Sequence, residues 1–442
     1  MKWIIILIFL FFSCVGVFAQ SVNLEQAREL ALASSRSLLR YEMSIRSSVL
    51  DERNQLYSML PQVSAEYRAS MYYLRDWDFI NPIETFSSGA AFSITQIIFQ
   101  GGKSFLQKAI SSIATESVRK DAKAEYFNVL DMIDNVYYAV LEAKAALEAE
   151  ESSLQAALLG LTIAEIRQQS GMINQGDFLK ALAEKEAREN SRNQARRNLA
   201  LNMTRFKTLT GINENVELEY IDFSSYDDTI LNLAGISDED ADSLYEKLWD
   251  ILIRDNPSLA KAALNNQRAE KSYTLSRRDF APTISATIFS TDVNFLYPDR
   301  FNSSNHGGVT IRGSIPIDFW VLSNRMEKSR IARDSAVIDY ENSVSSLELE
   351  LGNALTNAFT QAGSVLSLRR SLEYTEKHFE FVMERYRLGQ SSVSDLNEAT
   401  SLFISSRNNL NRASYSFLQS LSRLRSMCAL DDEDRLLEIL IM

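Results

Sequence analysis

Two short breaks in this chain carry the same residues at the same spacings. Arg167-Gln-Gln-Ser-Gly171 is followed by Asp177 and Ala181, and Arg385-Tyr-Arg-Leu-Gly389 is followed by Asp395 and Ala399, an offset of 218 residues (167 to 385). Internal similarity on this scale means that one structural unit has been written twice, so the fold is that of the unit doubled. A second echo runs at an offset of 221 (61 to 282): Pro61-Gln-Val63-Ser64-Ala65 returns as Pro282-Thr-Ile284-Ser285-Ala286. Ser35-Arg36-Ser37-Leu38 and Asn256-Pro257-Ser258-Leu259 occupy matching places in the two copies.

The content of the unit follows from its breakers and its periods. Only 15 Gly and 6 Pro occur in 442 residues, which favours very long helices over a fold with many turns. Apolar residues at helical spacing predict a first helix from Leu24 to Leu60, stopped by Pro61. The period then changes to two. Val63, Ala65, Tyr67, Ala69, Met71 and Tyr73 alternate with Gln62, Ser64, Glu66, Arg68, Ser70 and Tyr72, which predicts a strand with one apolar and one polar face. A polar turn around Asp76 to Ser88 leads to a second strand from Gly89 to Phe99, ended by Gly101-Gly102.

From Lys103 to about Gln169 there is no proline, which predicts one helix about 100 Å long. Tyr126, Leu130, Ile133, Tyr137, Val140, Leu147, Leu154, Leu158 and Leu161 lie along it at coiled-coil spacing. The chain turns at Gly171 and returns as a helix from about Asp177 to Leu209, stopping at Gly211. Residues 212–242 read as an acidic connector with a short strand at Val216 to Ile221. The second copy repeats the order: Ser243 to Phe280 helical, a strand from Pro282 through Thr291, and a strand with Val309, Ile311, Gly313, Ile315 and Ile317 against Thr310, Arg312, Ser314 and Asp318. A helix from Val321 to Leu388 follows, with its own seam from Tyr340 to Tyr386, then a return helix to about Cys428 and an acidic stretch leading to a short apolar tail.

The N-terminus reads as an address. Lys2, an apolar run from Trp3 to Phe12 and Val17-Phe18-Ala19 form the pattern of a leader, residues 1–19, cleaved on export. The competing reading, lipidation at Cys14, meets bulky Phe12 where a small residue is wanted, and it stays open. Beyond the leader no apolar run is long enough for a spanning helix. A net charge of −12 argues against a nucleic-acid partner. With two His, His306 and His378, and one Cys left after cleavage, neither a metal site nor a disulfide framework is expected, and no cofactor. No nucleophile, His and acid grouping suggests an enzyme. Gly102-Lys103-Ser104 looks like the end of a phosphate loop, but Ile97 stands where that loop needs glycine.

Lengths and faces combine into an architecture. The two short helices of a copy together match one long helix, so they can stack end to end beside it and make a cylinder wall roughly 100 Å long. Strands of about 10 residues match the height of a bilayer's hydrocarbon core, and strands survive in lipid only in a closed barrel. Four strands cannot close a barrel, but identical chains in a ring can supply them in turn, three chains giving about twelve. The bland alternative is an ordinary soluble sheet beside a dimeric or bundled coiled coil.

Over nearly its whole mature length the chain resembles the TolC-like outer-membrane efflux protein family. The resemblance is carried by the duplicated Pro-x-[Val/Ile]-Ser-Ala strand start, Asn256-Pro257-Ser258-Leu259, the segment Ser93-Ile-Thr-Gln-Ile-Ile-Phe99-Gln-Gly-Gly102, and the two Arg-x3-Gly-x5-Asp-x3-Ala turns. It implies a mainly α chain with a transmembrane β-barrel portion: a coiled-coil α-helical tunnel, and four strands per chain completing a twelve-stranded barrel in a homotrimer. The segments are then the leader 1–19, a first repeat 20–211, the connector 212–242 in an equatorial region, a second repeat 243–428 and a tail 429–442.

The resemblance also implies a function and its residues. The expected role is the outer-membrane exit duct of a tripartite efflux pump or type I secretion system, opened at its periplasmic tip by a periplasmic adaptor protein and an inner-membrane transporter. Arg167, Gly171, Arg385, Leu388 and Gly389 match the tip that meets the adaptor. Asp395, Glu398, Tyr386 and Asp177 match the pore entrance, where a ring of carboxylates would favour cations. One departure is Ser391, standing where the family's closed-state network often has an arginine. The alternative is a secreted or periplasmic coiled-coil structural or adhesion protein with no pore.

Overall fold

The computed structural model describes residues 21–74, 83–214, 216–293 and 306–441. The expected leader, with Cys14, and the turns around Asp76 and Pro298 lie outside the described residues. In chain order the elements are β1 (Ser21–Val22), α1 (Leu24–Ser34), α2 (Arg36–Tyr57), β2 (Gln62–Leu74), β3 (Ile83–Phe99), α3 (Lys103–Gln169) and α4 (Gln175–Thr210). Then come β4 (Glu217–Leu218), α5 (Asp227–Ala234), α6 (Asp238–Asp255), α7 (Pro257–Arg277), β5 (Thr283–Val293), β6 (His306–Ser314), α8 (Phe319–Arg387), α9 (Val393–Met427) and α10 (Glu433–Ile441). Among the described residues no helix is long and apolar enough to cross a membrane, and no group of His, Cys, Asp and Glu could hold a metal ion.

The chain divides into two compact units. One comprises Arg40–Ala122 and Ser258–Ser345 and holds a four-stranded antiparallel sheet in the order β2-β3-β5-β6. Its register sets an apolar row on one face and hydroxyl rows, with Phe289 and Ile97 among them, on the other. Val63, Ile94, Ile288 and Val309 form one row across all four strands, while Gln62, Thr95, Thr287 and Thr310 form a row on the opposite face. The apolar row is open, with Val63 74% and Val309 68% exposed. On the polar face hydroxyls pair between strands, Ser64 with Ser93 at 2.7 Å and Thr95 with Thr287 at 3.1 Å. The Phe289 ring lies over Gly308, close enough that a Cβ there would meet it at 3.1 Å, so the glycine makes room for the aromatic. β2 and β6 are the edges, and among the described residues neither has a second partner strand.

The other unit comprises described residues up to Leu39, Lys123–Pro257 and Ser346 onward, and is helical apart from a parallel pair, β1 with β4. Here helices from both ends of the sequence meet a buried carboxylate. Asp134 of α3, with no exposed side-chain surface, accepts from Arg28 of α1 (Nε 2.7 Å, Nη2 2.9 Å), from Arg425 of α9 (Nη2 2.7 Å) and from Ser422 (2.9 Å). Glu433 of α10 accepts from Arg28 at 2.8 Å and from the Tyr226 hydroxyl at 2.8 Å, with Arg425 Nη1 3.6 Å away. Burial opposes ionisation of Glu433, but Arg28, the Tyr226 hydrogen bond and Arg425 outweigh it and hold this carboxyl below its usual range. α9 ends beside this cluster with Ala429 in the left-handed region (φ 52°), its methyl packed against Phe127 and Leu130.

Several expectations need correction. The first helix is two: Ser35 is extended (ψ 110°) between α1 and α2, as Asn256 is (ψ 120°) between α6 and α7, so the matching positions break both helices in the same way. Asn256 is then held by its side-chain amide on the Met427 carbonyl at 2.9 Å. The second strand begins at Ile83 rather than Gly89, because the opposite edge of β2 through Leu74 finds its hydrogen-bond partners there. The fourth strand ends at Ser314, and Pro316, which has no N–H to give a ladder, lies beyond it. The second copy's first helix starts at Asp238, capped by Ser237, not at Ser243. The tail forms a helix, α10, packed through buried Leu436 and Leu440.

Replacing Asp134 by Asn would leave the Arg28 and Arg425 guanidiniums short of their counter-charge, and should cost about 3–5 kcal/mol of stability in a denaturant titration of the purified protein. Because the Glu433 pKa is lowered by folding, its contribution is present above the unfolded carboxyl's range and is lost as pH falls through the folded value. Glu433→Gln should therefore lower the melting temperature at neutral pH and flatten its fall in acid; an unchanged acid limb would contradict the assignment.

Candidate functional site

The two turns expected to matter are built alike, from the backbone upward. After α3, Gly171 (φ 70°) donates to the Gln168 carbonyl at 3.0 Å and Met172 to that of Arg167 at 2.8 Å. After α8, Gly389 (φ 80°) donates to Tyr386 at 3.1 Å and Gln390 to Arg385 at 2.8 Å. This paired bonding closes a helix only if one residue turns left-handed, which glycine does without a Cβ penalty. The next helices start alike as well. Asn174 caps α4 by accepting from the Asp177 N–H at 2.9 Å, and Ser392 caps α9 by accepting from the Asp395 N–H at 3.2 Å. Asp177 and Asp395 thus hold the same third position of their helices.

Their carboxylates are partly occupied by that role. Asp395 Oδ2 accepts from the Ser392 N–H at 2.9 Å and from the Ser391 hydroxyl at 3.0 Å. The backbone N–H of Ser392, then the hydroxyls of Ser391 and Ser392, hold its pKa below the usual aspartate range, so it stays charged on the surface. Ser391, the departure from the expected arginine, is therefore a partner of Asp395. Asp177 accepts from the Asn174 amide at 3.0 Å, with Lys180 3.6 Å away. Glu398 is exposed one turn beyond Asp395.

The hairpins are joined by an interaction that spacing alone did not reveal. Arg167 of the first turn lays its guanidinium over the Tyr386 ring, 4.6 Å from the centroid, and donates to the Tyr386 carbonyl. The Tyr386 hydroxyl in turn donates to the Gly160 carbonyl of α3 at 3.2 Å. Tyr386 is 1% exposed, and burial pushes its hydroxyl pKa up, so it remains a neutral donor. Around it Ala164, Ala181, Val382, Met383, Val393, Leu396 and Ala399 form a core shared by α3, α4, α8 and α9. Phe379 stacks on Phe403 at 5.3 Å to extend it.

The residues expected at the tip therefore behave differently from one another. Leu388 is open, at 64% exposure, as is Met172 at 75%. Arg385 donates to the Gln390 carbonyl at 3.2 Å and lies near the Phe381 ring, within its own turn. Arg167 is half-buried and turned onto Tyr386. The structure thus brings Arg167, Tyr386 and Gly389 together; a Cβ on Gly389 would lie 3.6 Å from the Arg167 guanidinium. The only sequence signal for this contact was the duplication, which places the two turns at equivalent points of their copies.

Comparison with known proteins follows the same outline. Residues 248–429 match the family model described as outer membrane efflux protein. No curated protein matches the chain. Among solved structures, CusC, reported with conformational changes accompanying folding and transmembrane channel formation, has a TM-score of 0.78 at 16% identity over 94% of this chain and 95% of its own. The Campylobacter jejuni CmeC outer membrane channel gives 0.74 at 17% identity, covering 95% of this chain and 89% of that one. The Vibrio cholerae outer membrane protein VceC gives 0.73 at 14% identity, covering 91% and 95%. The chain carries, over residues 248–429, the sequence pattern of the outer membrane efflux protein family, on the fold of the TolC-like outer-membrane channels.

Proposed function

We propose that this protein is the outer-membrane exit duct of an export system, a passive conduit that three copies form together. The observation that carries the reading is the sheet. Its apolar row, Val63, Ile94, Ile288 and Val309, is exposed, its other face carries paired hydroxyls beside Phe289, and among the described residues both of its edges are open. In water such a sheet would aggregate, and in lipid its open edges would each leave unpaired backbone groups costing several kcal/mol. Closure with the sheets of identical copies removes both penalties, with the apolar face toward lipid and the polar face toward a water-filled lumen. The outer membrane and the periplasm are accordingly its place.

In this reading the paired turns are the periplasmic entrance. Asp395 and Glu398 from each of three copies make an acidic ring at the mouth, and exposed Leu388 and Met172 meet a periplasmic adaptor protein that couples the duct to an inner-membrane transporter. In this reading the energy for transport comes from that transporter. Arg167 on Tyr386 is the latch holding the hairpins together in the closed entrance, the part the expected arginine at position 391 does not play here.

Planar-bilayer recording from the detergent-extracted trimer tests the reading. Small, cation-selective conductance is expected, and Asp395→Ala with Glu398→Ala should abolish the cation preference. Because Asp395 is held below the usual range, wild-type preference should persist at about pH 4, where ordinary carboxylates are half protonated. Arg167→Ala removes a cation–π contact and a hydrogen bond, together about 1–2 kcal/mol, and should raise open probability roughly 5- to 30-fold while the trimer stays intact on gels. A protein that is soluble without detergent and assembles no barrel would end the duct reading and leave the coiled-coil structural protein.

A further inference from the structure

Ser422 of α9 stands between two carboxyl groups of α3 that lie one helical turn apart. Its Oγ is 3.2 Å from Asp131 Oδ1 and 2.9 Å from Asp134 Oδ2. A hydroxyl has one proton to give. Asp134, fully buried and the closer of the two, takes it alongside the bonds from Arg28 and Arg425. Asp131 then faces a lone pair of the same oxygen, which a carboxylate cannot use and a carboxylic acid can, by donating its own O–H.

The surrounding charges balance without Asp131. Arg28 of α1 and Arg425 of α9 answer Asp134 and Glu433 of α10. Arg423 of α9, 3.9 Å from Asp131, is hydrogen-bonded to Glu350 of α8. The Asn135 amide donates to the Asp131 backbone carbonyl at 2.8 Å, and Tyr138 and Tyr226 are kept neutral by burial. The Asp131 side chain is 17% exposed, closed enough to penalise a charge and open enough for a proton to arrive. Burial accordingly pushes its pKa up, with Ser422 and Arg423 opposing and the charge of Asp134 adding to the rise. Ser422 opposes it only by giving up the proton that Asp134 holds.

We infer that Asp131 is a proton-operated clasp between α3 and α9. Protonated, it donates to Ser422 and completes a chain of hydrogen bonds from Asp131 through Ser422 to Asp134. Ionised, it competes with Asp134 for one hydrogen, repels that carboxylate across a single turn and draws Arg423 away from Glu350. Because folding raises this pKa, the clasp is at full strength below the unfolded aspartate value and weakens as pH rises through the folded one, the reverse of Glu433. The helix it holds, α9, carries Asp395 and Glu398 at its other end. The inference rests on the helical unit alone and stands apart from the duct reading.

Infrared difference titration of the purified full-length protein reads the proton directly. In wild type a carboxylic-acid C=O band should form as pH falls, before the exposed carboxylates titrate, and Asp131→Asn should remove it. Ser422→Ala takes away the acceptor of the neutral form, so the band should move to lower pH in a protein that still folds. Hydrogen exchange over residues 420–427, the last turns of α9, should slow on acidification by more than the intrinsic rate explains. That extra slowing should be lost in Asp131→Asn, whose side-chain amide gives Ser422 the same bond at every pH. A band that survives Asp131→Asn would overturn the inference by placing the proton elsewhere. A band that moves upward in Ser422→Ala would overturn it too, because the hydroxyl would then serve the charged form. So would an Asp131→Asn protein that fails to fold, since the neutral form is the one that holds the helices together.

Discussion

Asp134 is a carboxylate with no contact to solvent, and the helical unit is arranged to make that tolerable. A buried charge without partners would cost several kcal/mol, so two guanidiniums and a hydroxyl converge on it, and a second carboxylate, Glu433, balances the second guanidinium. The partners come from α1, α9 and α10, the beginning and the end of the described chain. The cluster thus ties α1, α9 and α10 to α3, beside the buried apolar residues Ile133, Tyr137 and Leu141 of the same helix. Well-packed apolar residues could supply equal stability; what the ion cluster adds is that only one docking of α1 and α10 satisfies every charge.

The sheet shows the opposite strategy. Its cross-strand register is set by period-two alternation, and a slip by one residue would carry the hydroxyl row onto the apolar face. Among the described residues the Val63 to Val309 row stays exposed, while the edge strands carry charge on the opposite face, Glu66 and Arg68 on β2 and Arg312 on β6. On the proposed reading, these open features are where the sheet is completed by other copies. Phe105, Phe319 and Trp320, in the first turns of α3 and α8 just past the strands, are likewise exposed.

At the paired turns, duplication gives two equivalent scaffolds and divergence gives them different work. Both use a left-handed glycine, a capping side chain and an aspartate at the third helical position. Only the second contributes Tyr386, and only the first contributes the guanidinium that lies on it. A contact between two copies of one unit gains from such asymmetry, since two guanidiniums facing each other would repel.

Local physics made most of the fold legible in the sequence. Sparse glycine and proline, the change of period from 3.6 to 2 at Pro61 and again at Pro282, and glycines at 101, 171, 211 and 389 located the long helices, the strands and the turns, because breakers and periodicity act through neighbouring residues. Misplaced boundaries at Ser35, Ile83 and Asp238 arose where a hydrogen-bond partner far along the chain, or a cap, outweighed local composition. The carboxylates at 177 and 395 could be found by spacing, but their capping role depended on side-chain rotamers. What only the tertiary structure decided is which distant groups meet: Arg28 with Asp134, 106 residues apart, Arg425 with Asp134, 291 apart, and Arg167 with Tyr386, 219 apart. A sequence records the charge and size of each such group, but a buried pair forms only where helix packing brings both to one point and excludes water, and that is a property of the folded chain.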